Sequence, residues 1–194
     1  MALIVRELID KVVPPDRIPS FYNRFMLIEV LEEDVQNKEL LDILAKYRKP
    51  IIISDKMLGE FTLNKDFEMF KGKIEWQGKN ISVHLEVNID SKGSWTKAMN
   101  VLRALFEQQK LKDLEFRTFA AEQLTNLAND WREDEETVEI SQKDFAERIS
   151  LSELSVSSGG SFTAYYDDDD MFASHAVTVY GSIKKGLKSA TIEG

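Results

Sequence analysis

The chain has 194 residues, 43% of them hydrophobic and 10% aromatic, enough to bury a substantial core and too apolar for a disordered segment. The lack of cysteine excludes a disulfide framework, a thiolate metal site and a cysteine nucleophile, and fits a reducing cytoplasm. The net charge of −9 is uneven: residues 113–170 hold four basic and sixteen acidic side chains, which disfavours nucleic acid and reads most simply as a solvated acidic surface, with a docking face for a basic protein partner as the alternative.

The N-terminal stretch MALIVRELIDKVV carries acidic residues within its apolar run and no basic leader, so no secretory signal is expected. No run reaches the roughly 20 apolar residues that a membrane-spanning helix needs, and no membrane association is expected. Ile4, Leu8 and Val12 share a helical face that Pro14 and Pro15 would end, with Pro19 just beyond. The segment Phe21 to Leu31 reads as helix, because Glu32, Glu33 and Asp34 do not alternate with apolar residues. Leu40, Leu41, Leu44 and Tyr47 give a further helix that ends before Pro50. Residues 1–50 are therefore expected to be a mainly helical extension of an α+β domain over 51–194.

From residue 51, short apolar runs punctuated by Gly59, Gly72 and Gly78 predict strands and turns. Ile81, Val83, Leu85 and Val87 alternate with Ser82, His84 and Glu86, giving a strand with one face on a core. Ser94 is placed to cap a helix carrying Trp95, Ala98, Met99, Leu102, Leu105 and Phe106. Phe116, Phe119, Ala120, Leu124, Leu127, Ala128 and Trp131 predict a second, and together the two would form a helical hairpin. Ser141 and Asp144 resemble a capping arrangement before a short helix, and residues 151–157, 161–166, 173–180 and 188–193 read as a β-meander. The predicted fold is α+β, with antiparallel strands before and after a central helical hairpin and a helical N-terminal extension.

The candidate binding residues cluster at one turn: Tyr166, then Asp167, Asp168, Asp169 and Asp170, then His175. Four adjacent carboxylates must be exposed, neutralised by cations or partly protonated. Calcium favours such oxygen ligands, but the EF-hand pattern of alternating ligands, central glycine and distal glutamate is absent. A solvated turn is the simpler reading; no metal and no cofactor are assigned. His175 could join the aspartates in acid–base chemistry or orient a strand start through a hydrogen bond, and His84 falls on a polar strand phase as a cross-strand residue. Gly159 and Gly160 lack the lysine of a phosphate loop, Ser157, Ser158 and Ser161 lack a nucleophile-elbow motif, and Glu133 to Glu136 read as an exposed loop.

The stretches LGEFTLNKDFEMFKGKIEWQGKNISVHL at 58–85, LANDW at 127–131, DFAERISLSEL at 144–154 and YYDDDDMFASHAVTVYG at 165–181 resemble the uncharacterised bacterial family called domain of unknown function 2262, over about residues 51–194. Ser174 stands where the family usually has glycine before the histidine. The resemblance implies a bacterial cytoplasmic protein and carries over no catalytic residue. The favoured function is a non-enzymatic protein-binding module, toxin-immunity-like by analogy, whose acidic 113–170 region docks a basic surface. The alternatives are a metal-assisted hydrolase using Asp167, Asp168, Asp170 and His175, and a structural subunit of a homo-oligomer.

Overall fold

The computed structural model describes residues 2–8, 24–32, 36–132 and 138–194. The chain divides into two compact units, Met1–Lys49 and Pro50–Gly194. In the first, β1 (Ala2–Leu8) pairs antiparallel with β2 (Arg24–Glu32), and α1 (Lys38–Arg48) follows. The helices expected over Ile4 to Val12 and over Phe21 to Leu31 are thereby corrected to strands within the described residues. Consecutive branched residues such as Ile4 and Val5 are stiff at χ1 and suit a pleated strand better than a helical turn. Val12, Pro14, Pro15 and Pro19 lie outside the described residues. The helix read from Leu40, Leu41, Leu44 and Tyr47 is α1; Asn37 caps it, its Oδ1 accepting from the Leu40 amide at 3.0 Å.

The second unit is built on an eight-stranded sheet. Its strands are β3 (Ile52–Asp55), β4 (Gly59–Asn64), β5 (Met69–Trp76), β6 (Lys79–Glu86), β7 (Ser150–Ser157), β8 (Ser161–Asp167), β9 (Ala176–Ser182) and β10 (Gly186–Glu193). They lie side by side in chain order. Every neighbouring pair is antiparallel except β6 and β7, which run parallel. Between these two the chain forms α2 (Lys92–Phe106), α3 (Gln109–Asp130) and α4 (Gln142–Arg148).

The layout predicted from sequence is corrected here. The strands before and after the helices are not two antiparallel groups flanking a hairpin; they form one mixed sheet joined through a parallel ladder. Nor do α2 and α3 make a helical hairpin. The α2 stripe of Ala98, Met99, Leu102 and Leu105 packs over β6 and β7, whereas α3 packs over β9 and β10 and against α4. Both apolar stripes face the sheet rather than each other. The parallel pair escaped detection because parallel strands are usually apolar on both faces. Here β6 and β7 alternate, as an antiparallel strand open on one side does.

The core lies between the helices and one face of the sheet, with Phe61, Phe70, Trp76, Leu85, Phe116 and Phe145 almost fully buried. The α2 cap is Ser91, not Ser94: Ser91 Oγ accepts from the Ser94 amide at 3.4 Å, while Ser94 is buried and its own hydroxyl accepts from Asn88 N at 2.9 Å. At α4 both halves of the capping box read from Ser141 and Asp144 are present. The Ser141 hydroxyl and amide hold the Asp144 carboxyl below the usual carboxylate range.

Candidate functional site

The turn between β8 and β9 holds the residues singled out by the sequence, and it sends them in different directions. Tyr166 is the last core-facing residue of β8 and is fully buried. Its hydroxyl lies 3.5 Å from Asp113 Oδ1, which also accepts from Trp76 Nε1 at 3.2 Å. Arg117 Nε donates to Asp113 Oδ2 at 2.7 Å, and Arg117 Nη1 donates to the Ala146 carbonyl at 2.8 Å. Burial and the Asp113 charge raise the Tyr166 phenol well above its ordinary range, so it stays neutral and donates. Asp113, invisible as a candidate in the sequence, is thus the centre of a buried polar network.

Asp168 is only 5% exposed, and its carboxylate is occupied by backbone: Oδ1 accepts from Asp170 N at 3.2 Å and Oδ2 from Phe172 N at 2.7 Å. Asp169 receives Arg148, which donates from Nε to Oδ2 at 2.7 Å and from Nη2 to the Asp169 carbonyl at 2.8 Å. Asp167 and Asp170 are exposed. His175 Nδ1 lies 2.6 Å from the Phe172 carbonyl, and its ring meets Trp131 edge-on at 5.6 Å. Asp169, Asp170, Ala173 and Ser174 all take positive φ, so the backbone coils tightly and the carboxylates diverge. No group of three His, Asp or Glu side chains is placed to hold a metal ion among the described residues. The Glu133 to Glu136 run lies outside them.

Because Asn offers one acceptor oxygen where Asp168 uses two, Asp168→Asn is expected to destabilise the fold by about 1–3 kcal/mol in urea unfolding. Asp170→Asn should stay within about 0.5 kcal/mol. Equal effects of the two would show that the Asp168 hydrogen bonds do not hold the turn.

A cavity of about 410 Å³ adjoins the turn, lined in part by Trp76, Asp113, Arg117, Arg148 and Asp169. Arg117 and Arg148 are already engaged there with Asp113 and Asp169.

The sheet face turned away from the core is different in character. Register places two rows across it: Ser82, Glu153, Tyr165, Thr178 and Thr191, then His84, Ser155, Thr163, Tyr180 and Ser189. Neither row contains lysine or arginine from β6 to β10; Lys71 and Lys73 join them only on β5. His84 Nδ1 lies 3.1 Å from Glu153 Oε1, Ser155 Oγ donates to Glu86 Oε1 at 2.8 Å, and the Tyr180 hydroxyl donates to Glu193. The bond to Glu193 pushes the Tyr180 phenol up to about 12. Burial raises Tyr165 too, with the charges of Glu193, Glu153 and Glu86 adding to it. Three carboxylates therefore gather around two tyrosines on a face whose rows from β6 to β10 otherwise hold serine, threonine and His84.

Residues 55–192 match the model of a family described as an uncharacterized protein conserved in bacteria, DUF2262. The chain belongs to that family. No curated protein and no solved structure matches it. The matched DUF2262 segment covers the acidic turn and the polar sheet face as far as Ile192, one residue short of Glu193. Sequence reading missed the face because Glu86, Glu153, Tyr165, Tyr180 and Glu193 lie on five different strands. Only the parallel β6–β7 ladder brings Glu86 beside the other four, and the alternation on each strand was the one available signal.

No helix among the described residues of this DUF2262 chain is long and apolar enough to cross a membrane.

Proposed function

We propose that the chain is a non-enzymatic, cytoplasmic protein-binding module that docks a basic partner on the polar face of β6–β10. The observation that carries this reading is the gathering of Glu86, Glu153 and Glu193 on a single sheet face whose rows hold no lysine or arginine from β6 to β10. Such a face attracts a basic surface and accelerates encounter, while the tyrosines supply contact area. Exposed Asp167 sits on the same face at the end of β8 and extends its charge. At the 166–175 turn, Tyr166, Asp168 and His175 are engaged in holding the fold. A basic toxin neutralised by this module is one such partner, by analogy with immunity proteins.

The test compares the wild-type chain with Glu86→Gln/Glu153→Gln/Glu193→Gln as immobilised baits for bacterial cytosol. Proteins kept only by the wild type are then purified and their association rates measured against ionic strength. A basic partner whose association slows about tenfold or more in the variant, or in the wild type at high salt, supports docking on this face. A partner that binds both chains at the same rate at low salt sinks it.

A further inference from the structure

The eight-stranded sheet ends in two edges, β10 and β3, and the chain treats them differently. An exposed edge is a template for another strand, so edges are ordinarily blunted by bulges, by lysine or proline, or by covering their amides. The β10 edge carries such devices. Its register shifts at Lys188, and the Ala190 amide donates to Gln123 Oε1 of α3 at 2.9 Å. The β3 edge has no proline, lysine or register shift, and among the described residues no strand lies beyond it.

The ladder decides which backbone groups face outward. The Leu63 amide of β4 donates to the Ile51 carbonyl at 2.8 Å. Hydrogen-bonded pairs recur at every second residue of an antiparallel ladder, so Ile53 and Asp55 also turn their backbone toward β4. Ile52 and Ser54 then present their N–H and C=O groups to the open side, and both residues are exposed.

A cavity of about 390 Å³ lies beside this edge, walled by β3 and α2. Its lining includes Ile53, Trp95 and Met99, with Lys92 and the Asp55–Arg103 ion pair. Asp55 and Arg103 neutralise each other, whereas Lys92 makes no ion pair among the described residues. A strand added beside β3 would lay every second side chain over this cavity. In such additions the main-chain bonds supply affinity and the pocket selects the side chains. The apolar wall suits an aliphatic side chain, and Lys92 suits a carboxylate two residues along the same strand face.

We infer that β3 is a strand-addition site for an extended segment of a partner protein, one that carries an aliphatic residue and an acidic residue two positions apart. The segment's backbone pairs with Ile52 and Ser54, and those two side chains enter the cavity between β3 and α2. This surface is on the helix side of the sheet, apart from the polar face of β6–β10, and does not depend on the basic partner proposed there.

The test uses a fluorescein-labelled peptide of about six residues, the usual length of a strand, in which every second residue is threonine and the others alternate between leucine and glutamate. A second peptide has lysine in place of glutamate, and both are titrated with the full chain by fluorescence anisotropy. The glutamate peptide is expected to bind about 2- to 5-fold more tightly, and Lys92→Glu should reverse that order. Ser54→Pro removes an outward N–H at an edge, where proline is tolerated. Its urea unfolding should match the wild type while the glutamate peptide binds about tenfold more weakly or worse. Peptides N-methylated at alternate residues repeat this test without altering the protein, and only one of the two methylated sets should lose binding. Equal loss from both sets, or undiminished binding to Ser54→Pro, overturns strand addition. So does failure of both peptides to bind at about 1 mM. An unchanged preference in Lys92→Glu overturns the assigned side-chain pattern. A dimer in sedimentation that Ser54→Pro converts to monomer assigns the edge to a second copy of this chain and overturns the partner segment.

Discussion

Replacing Asp113 by alanine is expected to destabilise the fold by about 3–5 kcal/mol, the range for removing one partner of a buried ion pair. Asp113 is 8% exposed and is held by Trp76 on β5, Tyr166 on β8 and Arg117 one helical turn along α3. Without the carboxylate, Trp76 Nε1 and the Tyr166 hydroxyl lose their acceptor. The Arg117 guanidinium keeps only its bond to the Ala146 carbonyl. Asp113→Asn should be milder for Trp76, which retains an oxygen, but it turns an amide nitrogen or a neutral oxygen toward a cation. Urea unfolding at neutral pH checks both substitutions. A loss below about 1 kcal/mol for Asp113→Ala would mean that water or a rearranged neighbour satisfies all three donors, and the network would then be incidental to stability.

Gly181→Ala should act on the sheet by crowding rather than by loss of a partner. A Cβ at position 181 would lie 2.8 Å from Phe162 Cε2 and 3.1 Å from the Gly186 carbonyl oxygen. Phe162 is paired across the ladder with Gly181 and stacks on Phe116 at 5.0 Å, so its ring has little freedom to retreat. Overpacking of this kind costs about 1–3 kcal/mol. The same arrangement recurs at Gly72, where a Cβ would lie 2.5 Å from Phe61 Cδ1 and 2.8 Å from the Glu60 carbonyl oxygen. The double substitution Gly181→Ala/Phe162→Leu should recover part of the loss, because the smaller side chain vacates the volume that the new methyl group needs. If the double variant is no better than the sum of the two single variants, the crowding explanation is wrong.

The elements were legible where periodicity is local. The alternation over 81–87 marks β6, the stripe from Trp95 to Phe106 marks α2, and Ser141 with Asp144 marks the start of α4. What pairs with what was not legible. Nothing in Ile81, Val83 and Leu85 says that the neighbour is Leu154 and Val156 in parallel, because residues 87–149 intervene and the register depends on where the helices settle. The candidate site was distorted for a related reason. Asp167 to Asp170 read as one acidic cluster, yet the tight backbone gives Asp168 an internal amide-binding role and Asp169 an arginine. The face of Glu86, Glu153, Tyr165, Tyr180 and Glu193 left no mark in any one stretch of chain.

The lone parallel ladder also bears on how the chain reaches its native state. The strands β3 to β6 and β7 to β10 are each joined by short connections, so each quartet can pair from contacts close in sequence. Zipping β6 to β7 requires closing a loop that spans α2, α3 and α4, and loop-closure entropy makes that the slow event. Two half-sheets should therefore form first, each with an edge at β6 or β7 still unpaired. During that interval the exposed apolar sides of Val83, Leu85, Leu154 and Val156 offer a template for the wrong neighbour. Crowding of nascent chains is thus the condition under which this sheet is most vulnerable to misassembly, and the speed with which the helices fold into the crossover sets how long that window stays open.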